Sequence, residues 1–424
     1  MINTNQLNES SNAYLIVIKE VNDDIKLSEA QLAELESLTE TMGATVVASQ
    51  IITLRQKNPA TLIGSGKLEE LSQTFEELPL DFIIFDYDLA PRVQRNLERF
   101  FNKAVIDRQE VILQIFSDRA VTKEATLQVA LARQMYSLPR LERMWSHLSR
   151  QRGGMRGTRD AGETQLEIDR RLVLKKISSL KKELEKVVAQ RAVQRKSRLE
   201  NSITTVAIVG YTNAGKSSLL NLLSESDIFV EDKLFATLDP TTRKINLPQG
   251  LSVLFTDTVG FVSNLPHHLV NAFKSTLEET QYSDLILHVV DASHPNMLQC
   301  FDTTVEVLDS LNCSEKPTIV FINKSDVVYN HLDVDQIVAQ NPKSVVGSVK
   351  TGENIDLLLN LIEQEIVLQY AKVLYFFPHS RGDLVALLRK EALVTKLEYL
   401  DEGALVEAKV PAHLQSRLTE FIKK

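Results

Sequence analysis

Cysteine, tryptophan and long apolar runs are scarce in this chain. Its 424 residues include two cysteines, Cys300 and Cys313, and neither has a His or Cys partner at metal-ligand spacing. A disulfide framework and a zinc site are therefore not expected. No apolar run approaches the ~20 residues of a membrane span, and the polar start MINTNQLNESSN lacks the pattern of a signal peptide. These absences predict two buried thiols in a cytoplasmic protein without a membrane span.

Positive charge is concentrated in one segment. The chain has 48 Lys or Arg and 56 Asp or Glu residues, a net charge of -8. Residues 133–200, however, contain 18 basic and 8 acidic side chains. This asymmetry indicates that one element of the protein addresses an anionic partner.

The first 118 residues alternate short apolar runs with amphipathic ones. Strands are predicted at 13–18, 44–50, 81–86 and 103–107. Helical spacing is found at 32–38, 67–75 and 93–101, with Ser28 as the expected N-cap of the first helix. Strands that alternate with helices predict an N-terminal α/β domain, 1–118, with a parallel sheet.

Residues 119–200 have the pattern of a long helical hairpin. Helical spacing covers 124–149 and 166–199. The second stretch has apolar residues at heptad positions: Leu166, Val173, Leu180 and Val187, with Ile177 and Leu184 completing the seam. Heptads predict two helices packed antiparallel, joined at the tip by the loop SRQRGGMRGTRDAGETQ, 149–165. A charged hairpin that serves only as a spacer is the alternative.

A phosphate-binding loop opens the next α/β segment, 201–369. The apolar run 206–209 precedes Gly210-x-x-x-x-Gly215-Lys216-Ser217, and a helix-forming stretch follows. The glycines let backbone N–H groups turn toward phosphate oxygens, and the helix N-terminus adds its dipole. Lys216 is expected to reach the β- and γ-phosphates, and the Ser217 hydroxyl to bind Mg²⁺.

Later motifs favour a guanine nucleotide. Asp257-x-x-Gly260 ends a predicted strand, so that Asp257 can hold Mg²⁺ through water while the Gly260 N–H meets the γ-phosphate. In Asn323-Lys324-Ser325-Asp326, the Asp326 carboxylate can accept the ring N–H and the exocyclic amine of guanine, a donor pair that adenine lacks. Ser348-Val349-Lys350 is expected to support the guanine carbonyl. The order of the motifs predicts a P-loop domain that binds GTP rather than ATP.

A switch residue is expected in LFATLDPTTR, 234–243. Thr237 can close on Mg²⁺ through its hydroxyl, and Thr241 and Thr242 are competitors that spacing does not separate. Phe261 stands where many GTPases place a glutamine that orients water, so slow intrinsic hydrolysis is expected. Asn213 could hold K⁺ against the phosphates, or could only hydrogen-bond the local backbone.

The predicted site thus has Asn213, Lys216, Thr237 and Gly260 as catalytic residues, and Ser217, Thr237 and Asp257 as Mg²⁺ ligands. The residues predicted to contact GTP or GDP are Gly210, Tyr211, Thr212, Asn213, Ala214, Gly215, Lys216, Ser217, Ser218, Phe235, Ala236, Thr237, Leu238, Asp239, Asp257, Thr258, Val259, Gly260, Asn323, Lys324, Ser325, Asp326, Ser348, Val349 and Lys350. The tail, 370–424, has a helix pattern at 382–391 and the strand-like runs KLEYL and ALVEAKV, which predict a small α+β domain.

Five stretches together resemble the HflX family of ribosome-associated GTPases. They are LIGSGKLEEL (62–71), LQVALARQMYSLPRL (127–141), LSRQRGGMRGTRDAGETQLEIDRR (148–171), GYTNAGKSSLLN (210–221) and LFATLDPTTR (234–243). The resemblance covers nearly the whole chain. It implies a factor, monomeric off the ribosome, that binds the large ribosomal subunit and its RNA, is stimulated there, and splits or rescues stalled ribosomes. The hairpin tip would enter near the peptidyl-transferase centre, and Thr237 would be the switch threonine.

The loop residues predicted to bind RNA are Arg152, Gly153, Gly154, Arg156, Gly157 and Arg159. Glycines let the backbone approach RNA, while arginines pair with phosphates or stack on bases. Asp160-Ala161 departs from the Gly-Pro that is usual in the family, which leaves open a specialised member, for example one that displaces an antibiotic. A GTPase of ribosome assembly, or a regulatory switch without an RNA partner, would also carry these nucleotide motifs.

Overall fold

A computed structural model describes residues 11–141, 159–200, 204–224, 234–235, 240–262 and 280–423. The chain divides into two compact units. Of the described residues, the first unit contains those up to 187 together with 234–235, and the second contains the others. Cys300 and Cys313 are both buried thiols, as predicted.

The first unit is built on a parallel four-stranded sheet of order β2-β1-β3-β4. Its strands are β1 (Ser11–Glu20), β2 (Ala44–Leu54), β3 (Phe82–Asp86) and β4 (Ala104–Asp107). Its helices are α1 (Ile25–Thr41), α2 (Ser65–Glu77), α3 (Pro91–Phe101), α4 (Arg108–Arg119), α5 (Lys123–Ser137) and the start of α6 (Arg159–Glu200). The central strands are buried along their lengths, which is why they read as continuous apolar runs.

Three local predictions for this unit are corrected. The N-cap of α1 is Asp24, whose side chain accepts from the Lys26 N–H, and Ser28 lies inside the helix with its hydroxyl on the Asp24 carbonyl. The helix predicted over 124–149 ends at Ser137, where a 3₁₀ turn that contains Pro139 follows. The predicted loop 149–165 is too long, because α6 already begins at Arg159; residues 142–158 lie outside the described residues.

The predicted seam of α6 packs against α5. Ile177 and Leu180 are buried with Leu131 of α5, and further apolar side chains from both helices surround them. Elsewhere on α6 most exposed side chains are charged, but Ile168, Leu172 and Leu174 are exposed too. The buried stripe at the heptad positions is what the pattern predicts.

A buried charged cluster joins α4 and the end of α5. Asp107 caps α4 by accepting from the Glu110 N–H at 3.0 Å, and it also accepts from the Tyr136 hydroxyl and from Arg140, each at 3.0 Å. Burial raises the pKa of Asp107 to about 6, and the positive charge of Arg140 opposes that shift. The carboxylate therefore carries a substantial desolvation cost at neutral pH.

The second unit begins with a six-stranded sheet of order β10-β9-β8-β5-β7-β6, parallel except for β6. Its strands are β5 (Thr205–Gly210), β6 (Thr241–Asn246), β7 (Ser252–Asp257), β8 (Leu285–Asp291), β9 (Thr318–Asn323) and β10 (Ser344–Val346). The described helices are α7 (Lys216–Ser224), α8 (Met297–Ser310), α9 (His331–Gln340) and α10 (Ile355–Leu368). The carboxyl ends of β5, β7 and β9 carry the predicted motifs, and ligands bind at this edge of open α/β sheets.

A three-stranded antiparallel sheet of order β11-β13-β12 follows in the same unit. It consists of β11 (Ala371–Pro378), β12 (Leu393–Leu400) and β13 (Gly403–Val410), with α11 (Gly382–Glu391) and α12 (Ala412–Arg417). The tail is α+β, as predicted, although β11 was missed.

Candidate nucleotide site

The turn between β5 and α7 depends on glycine at two positions. Gly210 has φ +149°, and a Cβ there would lie 2.1 Å from the Val289 carbonyl oxygen of β8. Gly215 has φ +95°, and a Cβ there would lie 2.3 Å from the Asn323 side chain of β9. Side chains at either position would force the loop away from the sheet. The glycines therefore hold the phosphate-binding loop tightly over the strand ends.

Lys216 lies buried beneath this loop. Its Nζ donates to the carbonyl oxygens of Gly210 at 3.1 Å and Tyr211 at 2.7 Å. Burial lowers the pKa of Lys216 to about 8, and the negative charge of Asp257 acts in the opposite direction. An anion placed against the Nζ would offset the desolvation cost of the charged ammonium. Lys216 is therefore suited to bind a phosphate group.

Ser217 and Asp257 form the cation side of the site. The Ser217 hydroxyl donates to Asp257 Oδ2 at 2.6 Å, and Asp257 is 1% exposed at the end of β7. Hydroxyl and carboxylate oxygens are hard donors of the kind that Mg²⁺ prefers. The donor set therefore fits a magnesium ion. Within the described ranges, no group of three or more His, Cys, Asp or Glu side chains is placed to hold a metal.

The Asp257-x-x-Gly260 segment runs directly over the phosphate-binding loop. The Phe261 N–H donates to the Gly210 carbonyl at 3.1 Å, and the Thr212 N–H donates to the Phe261 carbonyl at 2.8 Å. These two bonds continue the parallel pairing of β5 and β7 past the strand ends. The Phe261 side chain, in the position expected for a water-orienting glutamine, is 2% exposed.

Asn323 joins the guanine-side motifs to the phosphate-binding loop. Its Nδ2 donates to the Ala214 carbonyl at 2.8 Å, and its Oδ1 accepts from the Val349 N–H at 3.0 Å. One buried side chain thus holds three segments at fixed spacing. The motif spacing indicated that Asn323 belongs to the site, but it did not indicate this bridging geometry.

Asp326 and Lys324 are oriented by neighbours at the same edge. The Ser348 hydroxyl donates to Asp326 Oδ1 at 2.6 Å, and this bond is the main reason that the pKa of Asp326 is lowered. Asp326 is therefore ionised at neutral pH and can accept from guanine. Lys324, in a left-handed backbone conformation, donates to Asp291 Oδ2 of β8 at 2.7 Å. The sequence patterns did not single out Asp291, because it is not part of any motif.

Some of the predicted site residues belong to the other compact unit, and others lie outside the described ranges. Phe235 belongs to the first unit, where its ring packs edge-to-face on Phe116 at 4.6 Å. Thr242 lies in β6, with its hydroxyl 3.0 Å from that of Thr256. Outside the described residues lie Ala236, Thr237, Leu238, Asp239, Arg152, Gly153, Gly154, Arg156 and Gly157, as does the side chain of Arg159.

The length and hydropathy of the helices are relevant to the prediction that the protein has no membrane span. Each helix that the structure describes is either too short or too polar to span a bilayer.

Three family models match consecutive stretches of the chain. Their descriptions are GTP-binding GTPase N-terminal for residues 29–117, GTP-binding GTPase Middle Region for 119–198, and 50S ribosome-binding GTPase for 205–324. Together they cover the first unit from residue 29 onward, most of α6 and most of the motif-bearing sheet. The matched stretches thus extend well beyond the P-loop itself.

Curated relatives are similar over most of their length. GTPase HflX of Akkermansia muciniphila is 45% identical over 405 residues, 93% of both chains. GTPase HflX of Treponema denticola is 50% identical over 348 residues, 80% of this chain and 89% of its own. A solved GTP-binding protein of Sulfolobus solfataricus in complex with GDP is 24% identical, covers 84% of this chain and 98% of its own, and has a TM-score of 0.46.

The relatives' names carry no indication of drug resistance, so the specialised antibiotic role is unsupported. The assignment to a family depends on the family models and on the sequence identity to these relatives. It does not depend on the solved structure. The protein is a GTPase that binds guanine nucleotide, and the chain belongs to the HflX family.

Proposed function

We propose that the protein is a GTP-driven factor that binds the large ribosomal subunit and splits or rescues stalled ribosomes. The observation that carries this proposal is the excess of exposed basic side chains on α6. Between residues 167 and 190 three exposed side chains are acidic, Glu167, Glu183 and Glu185, and seven are basic, namely Arg170, Arg171, Lys175, Lys176, Lys181, Lys182 and Lys186. A cationic surface of this kind neutralises nucleic-acid phosphates. The family model described as a 50S ribosome-binding GTPase supports the large subunit as the source of that RNA.

The segment 149–158 ahead of α6, together with Arg159 at the start of that helix, is the proposed probe. Arg152, Arg156 and Arg159 would pair with RNA phosphates or stack on bases, and the glycines beside them would allow close backbone approach. The loop would enter the subunit near the peptidyl-transferase centre. A glycine-rich loop is narrower than the packed helices α5 and α6, and it could therefore enter a narrow RNA cleft.

The nucleotide would act through the pocket at the sheet edge. Lys216 would hold the β- and γ-phosphates, Gly260 would donate its N–H to the γ-phosphate, and Asp326 would select guanine. Ser217, Asp257 and Thr237 would hold Mg²⁺, which neutralises charge on the transferred phosphoryl group. Because Phe261 cannot orient water, hydrolysis by the free protein would be slow and would accelerate on the ribosome.

Co-sedimentation tests this function. The full chain is centrifuged with large subunits and a non-hydrolysable GTP analogue, GDP or no nucleotide. We expect the analogue to give the most bound protein, with binding that weakens steeply with salt. Lys175→Ala/Lys176→Ala should weaken binding and flatten its salt dependence. Lys396→Ala, an exposed lysine of β12, is the matched control. Binding equal in all nucleotide states and unaffected by the α6 substitutions would contradict the proposal.

A further inference from the structure

Asp291 lies between the two halves of the nucleotide pocket, although it belongs to no nucleotide motif. In the sheet order β10-β9-β8-β5-β7-β6, β8 separates β9, which ends in the guanine motif, from β5, which leads into the phosphate-binding loop. Asp291 is the last residue of β8, and its Cα is paired with that of Asn323 at the end of β9. A nucleotide that reaches from Asp326 to Lys216 therefore has to cross the carboxyl end of β8.

The Asp291 carboxylate is held in one orientation by three hydrogen bonds. Its Oδ1 accepts from the Ser293 N–H at 2.9 Å and from the Ser293 hydroxyl at 2.6 Å, and its Oδ2 accepts from Lys324 Nζ at 2.7 Å. The side chain of Asp291 is 13% exposed and that of Lys324 is 29% exposed, so the ion pair is partly withdrawn from water. Such a pair is stronger than one on the open surface, where water screens the charges.

The ion pair sets the direction of the Lys324 side chain. The backbone of Lys324 is left-handed, with φ +64° and ψ +38°, a conformation that residues with side chains seldom adopt. Its Nζ reaches the end of β8, so the four-carbon stem spans the interval between the ends of β9 and β8. Lysine stems cover apolar surface while the ammonium keeps a polar contact. The stem of Lys324 is therefore placed to line the base side of the pocket.

Without Asp291, the Lys324 ammonium would have another carboxylate close by. Asp326 stands two residues further along the chain, and its pKa is lowered mainly by the hydrogen bond from Ser348 and to a lesser degree by the positive charge of Lys324. An ammonium that turned to Asp326 would occupy the oxygens that the guanine donors need. Pairing with Asp291 keeps the cation at the end of the neighbouring strand.

We propose that Asp291 is a positioning residue for guanine-nucleotide binding, which acts by holding the Lys324 ammonium at the end of β8. The pairing keeps the lysine stem across the base side of the pocket and leaves the Asp326 carboxylate to guanine. The inference rests on the proposed function, because it requires that the pocket bind a guanine nucleotide through Asp326. It predicts a role in affinity rather than in hydrolysis, since the ion pair involves none of the groups assigned to the γ-phosphate.

Fluorescence titration of the full chain with GDP tests this role. Asp291→Asn keeps an oxygen for the Ser293 donors and removes the charge that pairs with Lys324. We expect it to weaken GDP binding about 5- to 30-fold, while single-turnover hydrolysis at saturating GTP stays within about twofold of the wild type. Asp291→Glu, which keeps the charge, should bind GDP more tightly than Asp291→Asn. Glu365→Gln is the matched control, since it breaks an ion pair of 2.6 Å with Lys343 outside the nucleotide motifs and should leave GDP affinity unchanged.

A double-mutant cycle with Lys324 separates positioning from general destabilisation. In the Lys324→Met background there is no ammonium to hold, so Asp291→Asn should change GDP affinity less than about twofold. If Asp291→Asn does not fold, Asp291→Glu is compared with the wild type in both backgrounds, and its smaller loss should likewise appear only when Lys324 is present.

Three results would overturn the role of Asp291. They are a loss in Asp291→Asn below about fivefold, an equal loss with and without the Lys324 ammonium, and a fall in the hydrolysis rate as large as the fall in affinity. Failure of the proposed pocket would look different. In that case neither guanine nucleotide would bind, or Asp326→Asn would leave GDP affinity unchanged.

Discussion

Because Lys216 is buried, nucleotide binding should be coupled to the uptake of a proton by its side chain. Burial lowers its pKa to about 8 in the protein, whereas phosphates placed against the Nζ return that pKa toward or above its ordinary value of 10.5. At pH 8 about half of the free protein carries a neutral Lys216, and the complex is fully charged. Binding of GDP should therefore take up about 0.5 proton per site at pH 8.

The lowered pKa of Lys216 also determines how nucleotide affinity changes with pH. Between pH 8 and the pKa in the complex, affinity should fall about tenfold per pH unit, or about 1.4 kcal/mol. Unfolding of the nucleotide-free protein should show the opposite trend. Since folding lowers this pKa, the unfolded chain holds more protons above pH 8, and stability rises with pH in that window.

Calorimetry in two buffers of different ionisation enthalpy measures the proton uptake directly. GDP is suitable because its phosphates are fully ionised at pH 8. Lys216→Arg is the control, since a guanidinium stays charged over the whole range and its complex should take up no proton. Uptake below about 0.1 proton at pH 8 in the wild type would refute the argument, because it would mean that Lys216 is charged before the nucleotide arrives.

Three further outcomes are expected. Asp326→Asn should weaken GDP binding about 10- to 100-fold, the worth of charge-assisted hydrogen bonds to guanine, while Asp335→Asn on α9 should not, as fluorescence titration would show. Replacing K⁺ by Na⁺ should slow steady-state GTP hydrolysis severalfold, and Asn213→Ala should abolish that difference; equal rates in both salts would exclude a K⁺ role for Asn213. Folding raises the pKa of Asp107 from 3.8 to about 6, so wild-type stability falls as pH rises through that window. Urea unfolding should show the wild type losing about 1.3 kcal/mol relative to Asp107→Asn between pH 5 and 7, and a constant difference would contradict the burial of a charged Asp107 beside Arg140.

The sequence was most informative where local chemistry decides the structure. Gly210, Gly215 and the apolar runs before them predicted a loop between strand and helix, since few other residues adopt those backbone conformations so near a neighbouring strand. The heptads predicted the packed face of α6 for the same reason of local periodicity. The parallel sheet of the N-terminal domain also followed from alternating strands and helices.

Long-range contacts were not predictable in the same way. Asn323 bonds to Ala214, 109 positions away, and no spacing rule specifies such a pair. The burial of Phe261 and the packing of Phe235 on Phe116 depend on segments that meet only in the folded chain. The helix start at Asp24 rather than Ser28 shows a further limit, because both residue types can cap a helix and the sequence pattern does not separate two such residues four positions apart.

Light scattering of intact ribosomes tests the central claim most directly. The full chain is added with a GTP analogue, with GDP, or with an ATP analogue. We predict a fall in scattering, from separation of the subunits, only with the GTP analogue, and its loss when Arg152, Arg156 and Arg159 are replaced by alanine. Unchanged scattering with the GTP analogue, or an equal fall with all three nucleotides, would contradict a guanine-dependent action on the ribosome.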